Sequence, residues 1–100
     1  MGVLGAAEIE KELGGIPEWR KNGNVIQRTF QFKNFVESIQ FVNFVANLAE
    51  KAQHHPDILI QWNKVEMRLT THDAGGLTSK DFQLASEMEK QFEQLKREHE

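Results

Sequence analysis

Residues 25–56 read VIQRTFQFKNFVESIQFVNFVANLAEKAQHHP, and the period of the hydrophobic residues changes partway through this stretch. In its first part the apolar residues Ile26, Phe30 and Phe32 alternate with the polar residues Gln27, Thr29 and Gln31. A period of two predicts a strand that is buried on one face. From about Asn34 the apolar residues recur every three or four positions, which predicts a helix.

The predicted helix carries more apolar residues than one buried face needs. Its main stripe consists of Phe35, Ile39, Val42, Ala46 and Ala49, and the apolar arc is widened by Phe41, Phe44 and Leu48. An arc well beyond about 100° predicts a helix covered on two sides, by its own sheet and by a second surface such as another subunit. Pro56 cannot continue the helix, and it pushes His55 toward an extended conformation.

The residues before this stretch predict a short helix and a short strand. AAEIEKELGG, residues 6–15, has helical spacing and ends on two glycines. A first strand is predicted around Trp19, and Asn22-Gly23 is typical of a hairpin turn that leads into the strand at residue 25.

The residues after Pro56 predict a second hairpin and a last helix. DILIQW and KVEMRLTT alternate on either side of a turn at Asn63; the predicted inward residues are Ile58, Ile60 and Trp62, then Val65, Met67 and Leu69. Thr78 and Asp81 form a capping box that opens the final helix. The predicted buried stripe of that helix is Leu84, Ala85, Met88, Phe92 and Leu95.

The predicted order of elements is therefore α-β-β-α-β-β-α. Strands joined by hairpins, with helices between and around them, predict an α+β fold in two layers. We expect a four-stranded, mostly antiparallel sheet with the helices on one face, in a single domain over residues 1–100.

Composition excludes several classes of function. The chain has no cysteine, so disulfides and thiolate chemistry are excluded. Its net charge of −3 and scattered basic residues argue against nucleic-acid binding. No stretch approaches the ~18 consecutive apolar residues of a membrane-spanning helix. The first residues have no charged segment followed by a long apolar one, as a secretory signal would, so we expect a cytoplasmic protein.

Ionisable residues cluster in two places where the predicted fold has no obvious structural requirement for them. At the end of the predicted central helix, Glu50 and His54 are one helical turn apart and could form a hydrogen bond. At the end of the last strand, His72 and Asp73 precede the flexible pair Gly75-Gly76, whose amides could approach a ligand.

Each cluster also has a purely structural interpretation. Histidines at a helix end are commonly solvated, and glycine pairs are commonly simple turns. Asp81 already has a role in the helix cap, and His99 in the charged tail is incidental. His54, His55 and His72 with a carboxylate could supply zinc or iron ligands, but adjacent residues of an extended segment point in opposite directions, so we expect no metal. The residues alone indicate an acid/base site, without choosing a reaction.

Residues 49–85 closely resemble the pterin-4a-carbinolamine dehydratase family. The resemblance is carried by an ordered set of motifs: Glu50-Lys51, His54-His55-Pro56, Trp62-Asn63, Val65, Thr71-His72, Gly76-Leu77-Thr78 and Asp81. Trp19 and the stretches FQFKNF and FVNFVANLAEKA are also similar to the family, so the likeness covers nearly the whole chain. Trp62 stands where many members have tyrosine.

The resemblance implies loss of water from 4a-hydroxy-tetrahydropterin to give quinonoid dihydropterin, a step in tetrahydrobiopterin recycling. The pterin is then the substrate, and no cofactor is implied. By analogy His54 and His72 are the catalytic pair that transfers protons, with Glu50 holding His54. His55 would bind and orient the pterin, and Asp81 would orient the histidine loop.

The remaining expectations from the resemblance concern the pocket and partners. Substrate contacts are also expected from Pro56, Trp62, Thr71 and Asp73. The family implies a homodimer or homotetramer. Some animal members also stabilise a dimeric transcription factor, and nothing in this sequence indicates that activity. The alternative to an enzyme is therefore a dimerisation or coactivator partner whose dehydratase activity is incidental.

Overall fold

The computed structural model describes residues 2–98, so Met1, His99 and Glu100 lie outside the description. The helices and strands are α1 (Ala6–Gly14), β1 (Arg20–Asn22), β2 (Val25–Gln31), α2 (Phe35–Ala52), β3 (Asp57–Gln61), β4 (Lys64–Leu69) and α3 (Ser79–Glu98), with a single 3-10 turn at His72–Ala74. This is the predicted order of elements.

The four strands form one antiparallel sheet in the order β1-β2-β4-β3. The two central strands are β2 and β4, which pair from Ile26 opposite Leu69 to Gln31 opposite Lys64. The predicted inward residues are buried: Ile26 and Phe30 in β2, Phe32 just after it, and Val65, Met67 and Leu69 in β4. The predicted α+β fold is therefore confirmed.

The core lies between this sheet and the helices. Phe30 of β2, Phe41 of α2 and Phe92 of α3 bring their rings within 4.6 to 6.1 Å of one another. Aromatic pairs at such distances add about 0.5–1.5 kcal/mol each beyond the area that they bury. The predicted stripe of α3 is buried in full. No helix within residues 2–98 is long and apolar enough to cross a membrane.

The predicted stripe of α2 is wrong in register. The residues that α2 buries are Ser38, Phe41, Val45 and Ala49, and of the predicted stripe only Ala49 is among them. Phe35, Val36 and Phe44 are exposed on this chain. Because α2 is apolar around much of its circumference, the periodicity could not tell which of two neighbouring stripes would face the sheet.

The first hairpin turn differs by one residue from the prediction, and the second includes Asn63 as predicted. Gly23-Asn24 connects β1 to β2, and Gly23 has the left-handed φ of 62° that this turn requires. Trp62-Asn63 connects β3 to β4. Trp62 has a positive φ of 53° and is an exposed turn residue, not the inward strand residue that was predicted.

The edge strands also differ from the predictions. Trp19 lies just before β1, where it is buried and donates its indole N–H to Glu89 at 2.8 Å. All of β3 is exposed, including Ile58 and Ile60, which were predicted to face inward. β3 is an edge of the sheet, so one of its sides has no neighbouring strand.

Candidate active site

The end of α2 brings two histidines to different environments. The helix ends at Ala52, and Gln53 adopts the left-handed conformation with φ 52° and ψ 41°. The N–H groups of Gln53 and His54 then bond back to carbonyls of the last turn, at Glu50 and Ala49. This arrangement satisfies carbonyls that the helix would otherwise leave without partners. It also turns the chain so that His54 is buried and His55 is exposed.

His54 pairs with Asp81. The ring Nε2 of His54 lies 2.6 Å from Oδ1 of Asp81, and the two side chains are 10% and 0% exposed. Asp81 lies 27 residues further along, in the first turn of α3. A carboxylate removed from water requires partners of this kind, because burial without hydrogen bonds is costly.

Asp81 has two further partners, both from the segment that leads into α3. Its Oδ2 accepts the hydroxyl of Thr71 at 2.8 Å and the backbone N–H of Thr78 at 2.9 Å. The bond from Thr78 is half of the predicted capping box. The other half differs: the hydroxyl of Thr78 lies 2.8 Å from that of Thr71 instead of capping an amide.

A tight loop holds Thr71 beside the start of α3. Thr71 and Gly76 form an isolated antiparallel bridge, and Gly75 between them has the positive φ of 77° that favours glycine. The amides of Gly75 and Gly76 both bond to the carbonyl of Thr71. These amides form the hydrogen bonds that close the turn. The structural interpretation of this glycine pair is therefore confirmed, and the ligand interpretation is not supported.

Glu50 does not pair with His54, as the spacing predicted, but with His55. Oε2 of Glu50 lies 2.5 Å from Nε2 of His55, and these side chains are 74% and 58% exposed. The four-residue spacing brings side chains together only while the helix continues. The left-handed Gln53 interrupts it, so His54 leaves the helical face and His55 turns back toward Glu50.

The two predicted clusters meet at Asp81. One of its oxygens bonds to His54 at the end of α2, and the other to Thr71 at the end of β4. His72 and Asp73 follow Thr71 directly and are exposed in the 3-10 turn. Pro56 is half-buried and leads from the histidine pair into β3. The hydrogen bonds of Asp81 therefore join the end of α2 to the end of β4, two segments that are distant in sequence.

Two of the predicted substrate-binding residues lie elsewhere or are already engaged. Thr71 is buried, and its hydroxyl donates to Asp81. Its hydroxyl proton is therefore used to bind Asp81 and not a substrate. Trp62 lies at the other end of β3 from Pro56, and six residues of extended chain span about 20 Å. Sequence spacing could not show that Trp62 lies far from the histidine pair, because the two ends of an extended strand are far apart in space.

One participant was not predicted as a site residue. Thr78 is fully buried and joins the Thr71–Asp81 pair through its side chain as well as its backbone. The capping box was the signal that placed it near Asp81, but the cap alone gave no reason to expect a side-chain bond to Thr71. Among residues 2–98, no three His, Cys, Asp or Glu side chains are grouped so that they could hold a metal ion.

The arrangement is suited to proton transfer. An imidazole can exist in both protonation states near neutral pH, and a carboxylate that bonds one ring nitrogen fixes the orientation of the ring. His55, which follows His54, and His72 and Asp73, which follow Thr71, are exposed and so available to a ligand that reaches the surface.

Known proteins resemble this chain along most of its length. Residues 3–91 match the family model described as pterin 4 alpha carbinolamine dehydratase. A provisionally named pterin-4-alpha-carbinolamine dehydratase from a Picosynechococcus species is 62% identical over 78% of this chain and 85% of its own length. A Roseiflexus protein with the same provisional name is 56% identical over 86% of this chain and 92% of its own length.

Two solved structures share the fold of this chain. The crystal structure of a transcriptional coactivator/pterin dehydratase from Brucella melitensis superposes with a TM-score of 0.85 and 32% identity, covering 88% of this chain and 96% of that one. A pterin dehydratase-like protein described as a RuBisCO assembly factor in the alpha-carboxysome shares the fold, with a TM-score of 0.61 and 22% identity over 71% of this chain and 84% of its own. The chain belongs to the pterin 4 alpha carbinolamine dehydratase family.

Proposed function

We propose that the protein is a 4a-hydroxytetrahydrobiopterin dehydratase. It removes water from 4a-hydroxy-tetrahydropterin to form quinonoid dihydropterin, and it acts in tetrahydrobiopterin recycling. Family membership and the provisional names of the relatives support this reaction class. The pterin is the substrate, no metal or organic cofactor is required, and the cytoplasm stays the predicted compartment.

The reaction calls for two proton transfers. The bond between carbon 4a and the hydroxyl oxygen breaks, and that oxygen leaves as water after it receives a proton. The adjacent ring nitrogen supplies electrons, and a proton is removed from the pterin. We assign these transfers to His54 and His72, each of which contributes about 10²–10⁴-fold if it acts as a general acid or base.

The observation that carries the proposal is the hydrogen bonding of Asp81 to both segments. Without it, no hydrogen bond would connect His54 with the Thr71-His72 segment. With it, the end of α2 and the end of β4 lie on either side of one carboxylate. In this assignment His55 and Asp73 contact the pterin, Pro56 shapes the pocket, and Glu50 orients His55.

The test is dehydration of 4a-hydroxy-tetrahydropterin followed by absorbance. We expect the wild-type protein to accelerate the reaction, and His54→Ala and His72→Ala each to lose at least roughly tenfold in kcat/KM while remaining folded. Gln94→Ala, on the exposed side of α3, is the matched control. Wild-type protein that leaves the uncatalysed rate unchanged, or histidine variants as active as the control, would contradict the proposal.

A second candidate function is a dimerisation or coactivator partner with incidental dehydratase activity. The Brucella melitensis protein of the same fold is described as a transcriptional coactivator as well as a pterin dehydratase. Here Phe35, Val36 and Phe44 leave apolar surface on α2 that another helix could cover. A stable complex with a transcription factor that survives His54→Ala and His72→Ala would favour this candidate.

We also propose that the protein forms a homodimer or homotetramer. The exposed apolar residues of α2 and the open edge of β3 are two surfaces that a second copy could cover. Sedimentation velocity should therefore give more than the 11.6 kDa of one chain. Phe44→Glu should shift the protein toward the monomer, while Asn47→Glu, an exposed polar position on α2, controls for added charge. A monomeric wild type at all accessible concentrations would refute self-association.

A further inference from the structure

Each buried hydrogen bond on the Oδ2 side of Asp81 has a defined donor and acceptor. The backbone N–H of Thr78 can only donate, so Oδ2 of Asp81 is an acceptor. Thr71 donates its single hydroxyl proton to the same oxygen. The hydroxyl oxygen of Thr71 must then accept from Thr78, whose oxygen lies 2.8 Å away. The order of donation is Thr78 to Thr71 to Asp81.

The contact with Asp81 also determines which ring nitrogen of His54 carries the proton. Asp81 is fully buried. In its carboxylate form it only accepts hydrogen bonds, and the proposal below takes it in that form. Its contact with Nε2 of His54, at 2.6 Å, therefore requires a proton on Nε2. A neutral imidazole carries one such proton, so Nδ1 is left as the acceptor.

Nδ1 is also the ring nitrogen that a ligand can reach. Within residues 2–98 no side-chain nitrogen or oxygen is both buried and without a hydrogen-bond partner. The ring of His54 bonds to Asp81 through Nε2, and Nδ1 has no corresponding partner in this part of the chain, so Nδ1 lies at the surface. The small exposed fraction of this side chain, 10%, is consistent with one accessible ring edge.

We propose that Thr78 is a positioning residue: its hydroxyl keeps the Thr71 hydroxyl directed at Asp81 and so fixes the orientation of the Asp81 carboxylate. The carboxylate in that orientation holds His54 in the tautomer with the proton on Nε2, so that every proton His54 exchanges with substrate passes through Nδ1. The catalytic part of this proposal rests on the dehydratase function proposed above. The tautomer does not, because it can be observed in the protein without substrate.

The first test is nitrogen-15 NMR of the full-length protein labelled in its histidine rings. The two ring nitrogens of a neutral imidazole have well-separated shifts, so the spectrum of His54, assigned by its loss in His54→Gln, identifies its tautomer directly. We expect Nε2 to carry the proton in the wild type. An Nδ1-protonated His54 would overturn the proposal whether or not the protein proves to be a dehydratase.

The second test distinguishes the effect of the Thr78 hydroxyl from the effect of the side-chain volume. Thr78→Val keeps the volume and removes the hydroxyl, while Thr78→Ser keeps the hydroxyl. We expect Thr78→Val to lower kcat roughly 2- to 10-fold, the range for one lost hydrogen bond, with a smaller change in KM. Its His54 ring signals should move toward a mixture of tautomers, and Thr78→Ser should restore both readouts.

Thr70→Val is the matched control, because the hydroxyl of Thr70 donates to the carbonyl of Asn24 and lies outside this chain of bonds. It should leave the His54 signals and kcat at wild-type values. If Thr78→Val does not fold, Thr71→Val replaces it, since its hydroxyl is the next link. A folded valine variant with wild-type His54 signals and wild-type kcat would overturn the role assigned to Thr78.

Discussion

Two imidazole–carboxylate pairs within residues 2–98 differ almost only in burial. His54 and Asp81 are 2.6 Å apart with side chains 10% and 0% exposed, while His55 and Glu50 are 2.5 Å apart with side chains 58% and 74% exposed. Adjacent residues of one chain thus form the same chemical contact in two very different dielectric environments.

The difference in burial determines how much each pair contributes to the free energy of unfolding and how freely it can rearrange. Water competes for both members of the exposed pair, and pairs of this kind contribute about 0–1 kcal/mol. In the buried pair, removing His54 leaves Asp81 with only the donors Thr71 and Thr78, in surroundings that solvate a carboxylate poorly. Breaking a buried pair of this kind costs several kcal/mol, up to about 3–5 kcal/mol where no other partner remains. The buried pair therefore fixes a geometry, and the exposed one remains free to rearrange around a ligand.

The largest expected effect comes from Asp81→Asn. An asparagine oxygen can still accept from Thr71 and Thr78, but its amide nitrogen would donate to Nε2 of His54 and so favour the wrong tautomer. We expect kcat to fall roughly 10²-fold or more, comparable with loss of the general acid or base itself. Steady-state dehydration kinetics measure this.

Glu50→Gln is the matched control for that change, because it alters the carboxylate of the exposed pair in the same way. Equal losses of kcat in the two variants would mean that burial does not distinguish the pairs.

The next effect concerns folding stability. His54→Ala leaves Asp81 with one donor fewer and opens a small cavity, so we expect the free energy of unfolding to fall by about 2–4 kcal/mol. His55→Ala removes an exposed side chain and should change it by at most about 0.5 kcal/mol. Urea unfolding followed by circular dichroism measures both. A His55 variant as destabilised as the His54 variant would remove the energetic distinction between the pairs.

The smallest effect is expected for the exposed pair itself. Glu50→Gln should lower the free energy of unfolding by less than about 1 kcal/mol, and the difference from wild type should shrink as salt is added, because exposed charges are screened. Urea midpoints at low and high sodium chloride measure it. A salt-independent loss of several kcal/mol would show that Glu50 has a buried partner.

Much of the fold was predictable because the relevant signals are local. The alternation of β2 and β4 identified their inward residues, since a strand exposes successive side chains on opposite faces. The stripe of α3 was predicted in full because its polar face is unambiguous. The stripe of α2 was not, because an apolar helix can be rotated by about one residue without losing hydrophobic contacts.

The contacts within the candidate site could not be predicted from the sequence. The motifs identified both segments and Asp81, whereas the pairing of Glu50 with His54 was wrong because it assumed that the helix continued through residue 54. Neither the position of Trp62 nor the side-chain role of Thr78 could follow from spacing. Each depends on a turn whose geometry is set by the surrounding packing.

The amino-acid sequence alone specifies the α+β fold, the order of its elements, and the family to which the chain belongs. Those properties depend on the periodicity of hydrophobic residues and on short motifs of residues that are close in sequence. Which histidine is buried, and which carboxylate it meets, is settled only by the folded arrangement. A contact between residues 27 positions apart depends on how α2 and α3 pack against the sheet, and no local pattern of residues encodes that packing.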